Sequence, residues 1–128
     1  MKYLTGKAIV RIHDIIIKET GGRPGVLHST RLLSLRVMPK QKIFGQELYP
    51  SLFHKAAVYV REINQGHIFN DGNKRTSLAV LAEFLRRNKH DISHAQSHIL
   101  EDFALAVAGG LQFEEIVKWI MKHGHKTN

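Results

Sequence analysis

No cysteine occurs among the 128 residues of this chain, which excludes a disulfide framework, a thiolate metal site and a cysteine nucleophile. Long apolar runs are missing too, and the N-terminus lacks the basic, apolar and small-residue regions of a secretory leader. The expectation is a soluble, cytoplasmic protein without membrane association. Strand-like alternation of useful length is absent outside a segment from Met38 to Leu48. Acidic residues are also few, 11 against 19 Lys and Arg, for a formal charge of +8. The deficit is uneven, with 11 basic and 4 acidic side chains in residues 1–66 but 8 and 7 in residues 67–128. A basic half suits an anionic partner such as a nucleotide, a nucleic acid or an acidic protein surface, and it also serves solubility. No basic run exceeds two residues and no aromatic–basic interleaving occurs, so direct nucleic-acid binding is not expected.

What is present is helical spacing nearly everywhere. At this length the chain is read as one domain, residues 1–128, able to bury roughly two-thirds of its unfolded surface. Ala8, Ile9, Ile12, Ile15 and Ile16 recur at helical intervals, with Thr5 as an N-cap and Gly21-Gly22 then Pro24 as a stop. A short helix is expected from about His28 or Ser29 to before Pro39, and an extended loop from Met38 to Leu48. The next helix, with Pro50 in its first turn, carries Leu52, Phe53, Ala56, Ala57, Tyr59, Val60 and Ile63 until Gly66. Leu78, Leu81, Ala82 and Leu85 place another from Gly72 or Asn73 to about Asn88, and two more span about His94–Ala108 and Phe113–Lys122. The expected fold class is all-α, a compact bundle of about six helices.

Between the third and fourth of these helices lies His67-Ile68-Phe69-Asn70-Asp71-Gly72-Asn73-Lys74-Arg75. A histidine can take a proton from an attacking hydroxyl near neutral pH, and Asp71 can hold Mg²⁺ beside phosphate oxygens. A helix starting at Gly72 or Asn73 turns its orphan N–H groups back toward this loop, which makes an anion site. Gly72 lets the backbone approach an oxyanion without a Cβ in the way. Lys74 and Arg75 occupy a first turn where the helix dipole favours acidic residues. Two cations there are explained if an anion offsets them, and otherwise they splay into solvent. Phe69 is expected to plug inward, and Asn70 to form a turn.

The string resembles the signature of the Fic/Doc superfamily, commonly His-x-Phe-x-(Asp/Glu)-Gly-Asn-(Gly/Lys)-Arg, and matches it at every defined position. Lys74 and Leu78 stand where Fic proteins usually carry a glycine and a further arginine, which is similar to the Doc (death-on-curing) toxin branch. Ile12-His13-Asp14, Gly21-Gly22-x-Pro24-Gly25, Phe44-Gly45, Tyr49-Pro50, Lys55-Ala56-Ala57 and Phe84-Leu85-Arg86-Arg87-Asn88 extend the likeness over nearly the whole chain.

The resemblance implies a toxin of a toxin–antitoxin module that uses ATP and Mg²⁺ to transfer the γ-phosphoryl group to a hydroxyl of an elongation factor Tu-like translation factor. It implies His67 as general base, Asp71 as metal ligand, Gly72, Asn73, Lys74 and Arg75 as phosphate binders, and the Met38–Leu48 segment as a target-binding flap gripping through Ile43 or Phe44. For Ile43 and Phe44 the alternative is ordinary core packing. Fic enzymes generally transfer the adenylyl group instead. Narrowing of the phosphate nest by Lys74 offers a physical reason for a nucleotide bound turned around, γ-phosphate toward the histidine. Many Fic proteins carry an inhibitory helix with (Ser/Thr)-x-x-x-Glu-(Gly/Asn). Ser97-His98-Ile99-Leu100-Glu101 fits five positions, but Asp102 follows, so restraint by a cognate antitoxin in trans is expected.

Nine histidines also raise a zinc reading, since His94 and His98 are four apart and His90 precedes them by four. No glutamate stands where a zinc-protease helix needs one, and surface roles are preferred. His123 and His125 read as tail residues, and His13 and His54 as satisfied helix residues. Three function classes remain at this point: a Doc-like kinase toxin, a protein adenylyl transferase, and a non-catalytic module for an anionic partner.

Overall fold

Helix boundaries follow local signals wherever those signals are strong. The computed structural model describes residues 1–128 and is mostly helical, with six α-helices and two small antiparallel strand pairs. Helix α1, Gly6–Thr20, is capped by Thr5, whose side chain accepts from the Ala8 N–H, and it stops at Gly21 with φ 80°. After α2, Ser29–Ser34, a 3₁₀ turn covers Met38–Lys40. A hairpin follows, pairing β1, Lys42–Ile43, with β2, Gln46–Glu47. Its turn residues Phe44 and Gly45 both have positive φ, 50° and 78°, the backbone that two-residue hairpin loops require.

Helix α3, Leu52–Asn64, begins two residues beyond the proline expected in its first turn. Ser51 is the cap, accepting from the His54 N–H, and Pro50 lies just outside. This helix forms the centre of the molecule. Eight of its 13 residues are buried, and it packs on α4, Asn73–Arg87, on α5, Ser97–Ala108, and on α6, Phe113–His123. Tyr59, Ile63, Phe84, Leu81, Leu85, Ile116 and Ile120 are fully buried within one cluster. Each aliphatic side chain there contributes roughly 1.5–3 kcal/mol by leaving water.

Three expectations are corrected. Strand pairing is not confined to the Met38–Leu48 segment, because β3, His90–Asp91, pairs with β4, His125–Lys126. Strands of two residues leave no periodicity in a sequence. Helix α5 starts at Ser97 and not near His94, so His94 and His98 do not share a helical face, and no group of three metal-capable side chains forms. His123 and His125 are not loose tail residues: His123 stacks on Trp119 at 4.1 Å between ring centres, and His125 lies in β4.

Candidate functional site

The chain from α3 to α4 alternates anchors with exposed chemistry. At the end of α3, the Asn64 side chain donates to the Ala104 carbonyl at 3.0 Å and the Gln65 amide to that of Val107 at 2.9 Å. Beyond this tether His67 is exposed, Ile68 and Phe69 are fully buried, and Asp71 is exposed again. Ile68 and Phe69 thus fasten a loop whose polar residues face outward.

A second segment straps this loop along its length. Leu27 and His28 both donate backbone N–H groups to the Ile68 carbonyl, at 2.7 and 3.0 Å, and Asn70 donates to that of Gly25 at 3.1 Å. The Asn70 amide reaches the Pro24 carbonyl at 3.0 Å, and the Arg23 guanidinium reaches the Asn70 carbonyl at 3.3 Å. Asn70 therefore bridges two segments and does more than form a turn. The His28 ring donates through Nδ1 to the His67 carbonyl at 2.8 Å. Because a carbonyl only accepts, that nitrogen carries the proton. Close approach makes the glycines necessary: a Cβ on Gly25, φ 102°, would lie 2.9 Å from Asn70 Nδ2, and one on Gly22, φ 118°, 3.0 Å from Asp71 Oδ2.

Helix α1 braces the loop from the other side. His13, buried, stacks flat on Phe69 with ring centres 3.8 Å apart and planes 4° apart, while its Nε2–H donates to the Asp71 carbonyl at 2.8 Å. His13 is thus a satisfied helix residue, as expected, but what it satisfies is the site loop.

His67 has a left-handed backbone, φ 47°, a conformation that strained functional positions often hold. Its carbonyl is tied down by His28, and its ring is left exposed. Asp71 keeps its carboxylate ionised below the usual range, first because Oδ2 accepts from the Arg23 N–H and then because Oδ1 accepts from the Gly72 N–H, with the Arg23 charge adding to both.

Helix α4 opens without a side-chain cap, from Gly72 in the left-handed region at φ 75°. Its first backbone bond runs from the Thr76 N–H to the Gly72 carbonyl at 2.9 Å, so the N–H groups of Asn73, Lys74 and Arg75 have no intrahelical acceptor. The Asn73 side chain is committed to Phe69, accepting from its N–H at 3.0 Å and donating to its carbonyl at 2.9 Å; only its backbone faces a ligand. Lys74 and Arg75 are exposed and line a cleft of about 280 Å³ with Leu78, Glu101, Ala104 and Leu105.

Within nine consecutive residues, 67–75, the chain carries an exposed imidazole, an ionised carboxylate, helix N–H groups without intrahelical acceptors and two exposed cations, group types suited to a polyphosphate and a proton-transfer step. A Mg²⁺ ion fits this donor set. Such an ion is commonly bound by one or two carboxylates with substrate phosphates and water completing its shell, and each Asp71 oxygen accepts a single N–H bond, leaving lone pairs free. Ile43 and Phe44 stand apart from these residues on the hairpin. Phe44 is fully exposed and Ile43 is 47% exposed, so neither belongs to the core.

The supporting residues Arg23, His28 and Gly25 were not singled out from sequence as parts of the site. The Gly21–Gly25 cluster reads as a helix stop, and only its pairing with residues 67–71 reveals the strap.

A profile described as the Fic/DOC family matches residues 3–85. The chain is similar to "Protein kinase doc" of Escherichia phage P1, 32% identical over 110 residues, or 86% of this chain and 85% of that protein. It is also similar to "Toxin Doc" of Mycolicibacterium smegmatis, 38% identical over 50 residues, or 39% of this chain and 38% of that protein. Both relatives are Doc proteins, and the chain belongs to the Fic/DOC family.

Proposed function

We propose that this chain is a Doc-like toxin of a toxin–antitoxin module, an enzyme that moves the γ-phosphoryl group of ATP to a hydroxyl of an elongation factor Tu-like protein and so stops translation. The observation that carries the reading is the exposed His67 ring at the head of a loop that ends on the uncapped, cationic start of α4. The name of the phage P1 relative, a protein kinase, supports phosphoryl over adenylyl transfer.

In this reading the acceptor hydroxyl gives its proton to His67 as its oxygen forms a bond to the γ-phosphorus. The bond from that phosphorus to the β–γ bridging oxygen breaks, and ADP leaves with the electron pair. Catalysis of this kind is positioning and charge stabilisation more than covalent chemistry. The N–H groups of Asn73, Lys74 and Arg75 and the side chains of Lys74 and Arg75 hold phosphate oxygens, whereas the Gly72 N–H, expected from sequence to join them, is taken up by Asp71 Oδ1. Asp71 and those oxygens hold Mg²⁺, which when bound neutralises phosphate charge. The strap matters because a base misplaced by 1 Å can cost about 10²-fold in rate. A cognate antitoxin restrains the enzyme in trans.

The test is to incubate the purified protein with Mg²⁺, a bacterial extract and ATP labelled at either the α or the γ position. The expected outcome is γ label on one protein of the size of elongation factor Tu, lost with His67→Ala. Transfer of α label would make the chain an adenylyl transferase, and absence of both labels would favour a non-catalytic binding module.

A further inference from the structure

Three cavities run end to end along α2 and the 3₁₀ turn. The first, about 540 Å³, and the second, about 310 Å³, share Leu33 and Arg36. The second and the third, about 470 Å³, share Ser34 and Val37. Shared walls make them one groove, which starts between α1 and α2 and ends at Lys40 and Gln41, beside the hairpin. Its apolar residues are unusually open to water, Leu33 at 71% and Val37 at 59% exposure, and they stand four residues apart.

Positive charge dominates the rim. Lys7, Arg11, Arg36 and Lys40 line the groove against a single carboxylate, Asp14. None of the four cations forms an ion pair within the protein. Lys40 is already held in place, its ammonium 4.8 Å from the centre of the Tyr3 ring. An apolar floor between free cations is complementary to an acidic segment carrying apolar anchors.

Position says which partner. Thr30, on the wall of the middle cavity, is two residues from His28, whose ring holds the His67 carbonyl. A segment lying in the groove passes this wall at mid-length and leaves past Lys40 and Gln41, directly before the strand Lys42–Ile43 that leads to Phe44.

The geometry points to this groove as the docking site for an acidic, apolar-anchored segment of the protein substrate, separate from the residues that hold nucleotide. The inference rests on the proposed phosphoryl transfer. Docking through Arg36 and Lys40 sets how well substrate is captured, while Lys74 and Arg75 serve ATP. Charge across such a surface acts mainly on encounter and specificity and is weakened by salt.

The test compares the parent protein with Arg36→Glu/Lys40→Glu and with Leu33→Ser/Val37→Ser in the γ-label assay on bacterial extract, at low and high salt. The expected result is a labelling rate lower by about tenfold at low salt in the charge-reversed form, through KM for the protein acceptor. The difference shrinks at high salt, and the affinity for a non-hydrolysable ATP analogue and the melting temperature stay unchanged. The Ser pair lowers the rate at both salt concentrations. Equal labelling by parent and variants overturns the docking site while leaving the proposed function standing. No label from the parent removes both. Variants that label normally but escape inhibition by the cognate antitoxin overturn the assignment to substrate and give the groove to the inhibitor.

Discussion

The loop that carries His67 and the hairpin that carries Phe44 are both short, polar and surface-lying, yet they are held in opposite ways. Residues 67–73 are tied by hydrogen bonds from the 23–28 strap, from α1 through His13 and from α4 through Asn73. The hairpin has its own ladder and one strong anchor at its root. There the buried Lys55 ammonium donates to the Pro39 carbonyl at 3.0 Å and to Glu47 Oε1 at 2.9 Å. Its tip touches nothing, since Phe44 is fully exposed. Chemistry needs atoms fixed in place before the substrate arrives, whereas a surface that meets another protein can adjust on contact. The bonded loop meets the first requirement, and the free tip of the hairpin meets the second.

The sharpest way to separate the two regions is to remove the proposed base. His67→Ala is expected to cut phosphoryl transfer by about 10²–10⁴-fold with the melting temperature nearly unchanged, because the ring is exposed; kinetics and a melting curve check both halves. Next comes a blow to the strap. Gly25→Ala places a Cβ 2.9 Å from Asn70 Nδ2 on a residue with φ 102°. It is expected to cost about 1–3 kcal/mol of stability and to lower kcat with it, as denaturant unfolding and turnover will show.

At the hairpin the pattern should reverse. Phe44→Ser is expected to change stability by less than about 0.5 kcal/mol while raising KM for the protein acceptor and leaving the affinity for an ATP analogue as it was. The smallest effect belongs to acid. Glu47 titrates below its ordinary 4.5, chiefly through the hydrogen bond from Lys55 and then through its charge. A carboxylate with a lowered folded pKa stabilises fully above the unfolded value and loses that contribution as pH falls through the folded one. Amide exchange in residues 42–47 should therefore accelerate below about pH 4.5, relative to residues 67–73, and Glu47→Gln should abolish the difference.

How much was legible in sequence follows the same divide between local and distant causes. Thr5 caps α1 and Gly72 starts α4 through contacts within four residues, and both were readable. So was the inward Phe69. The β3–β4 pair joins residues about 35 positions apart, and the strap joins Gly25 to Asn70; neither leaves a mark in local spacing. His94 illustrates the cost of periodicity alone: its four-residue spacing to His98 looked helical, but Gln96 is the N-cap and the helix begins after it. For Phe44, apolarity alone does not separate core from surface, and the turn at Phe44-Gly45 takes it out of the core.

The left-handed backbone at His67 bears on the choice of substitution there. A side chain held at φ 47° costs about 1 kcal/mol that glycine would not incur, so His67→Gly alone removes the imidazole and this strain together. Any other residue there inherits the same backbone, so comparing His67→Gly with His67→Ala separates loss of the imidazole, common to both, from release of the left-handed strain.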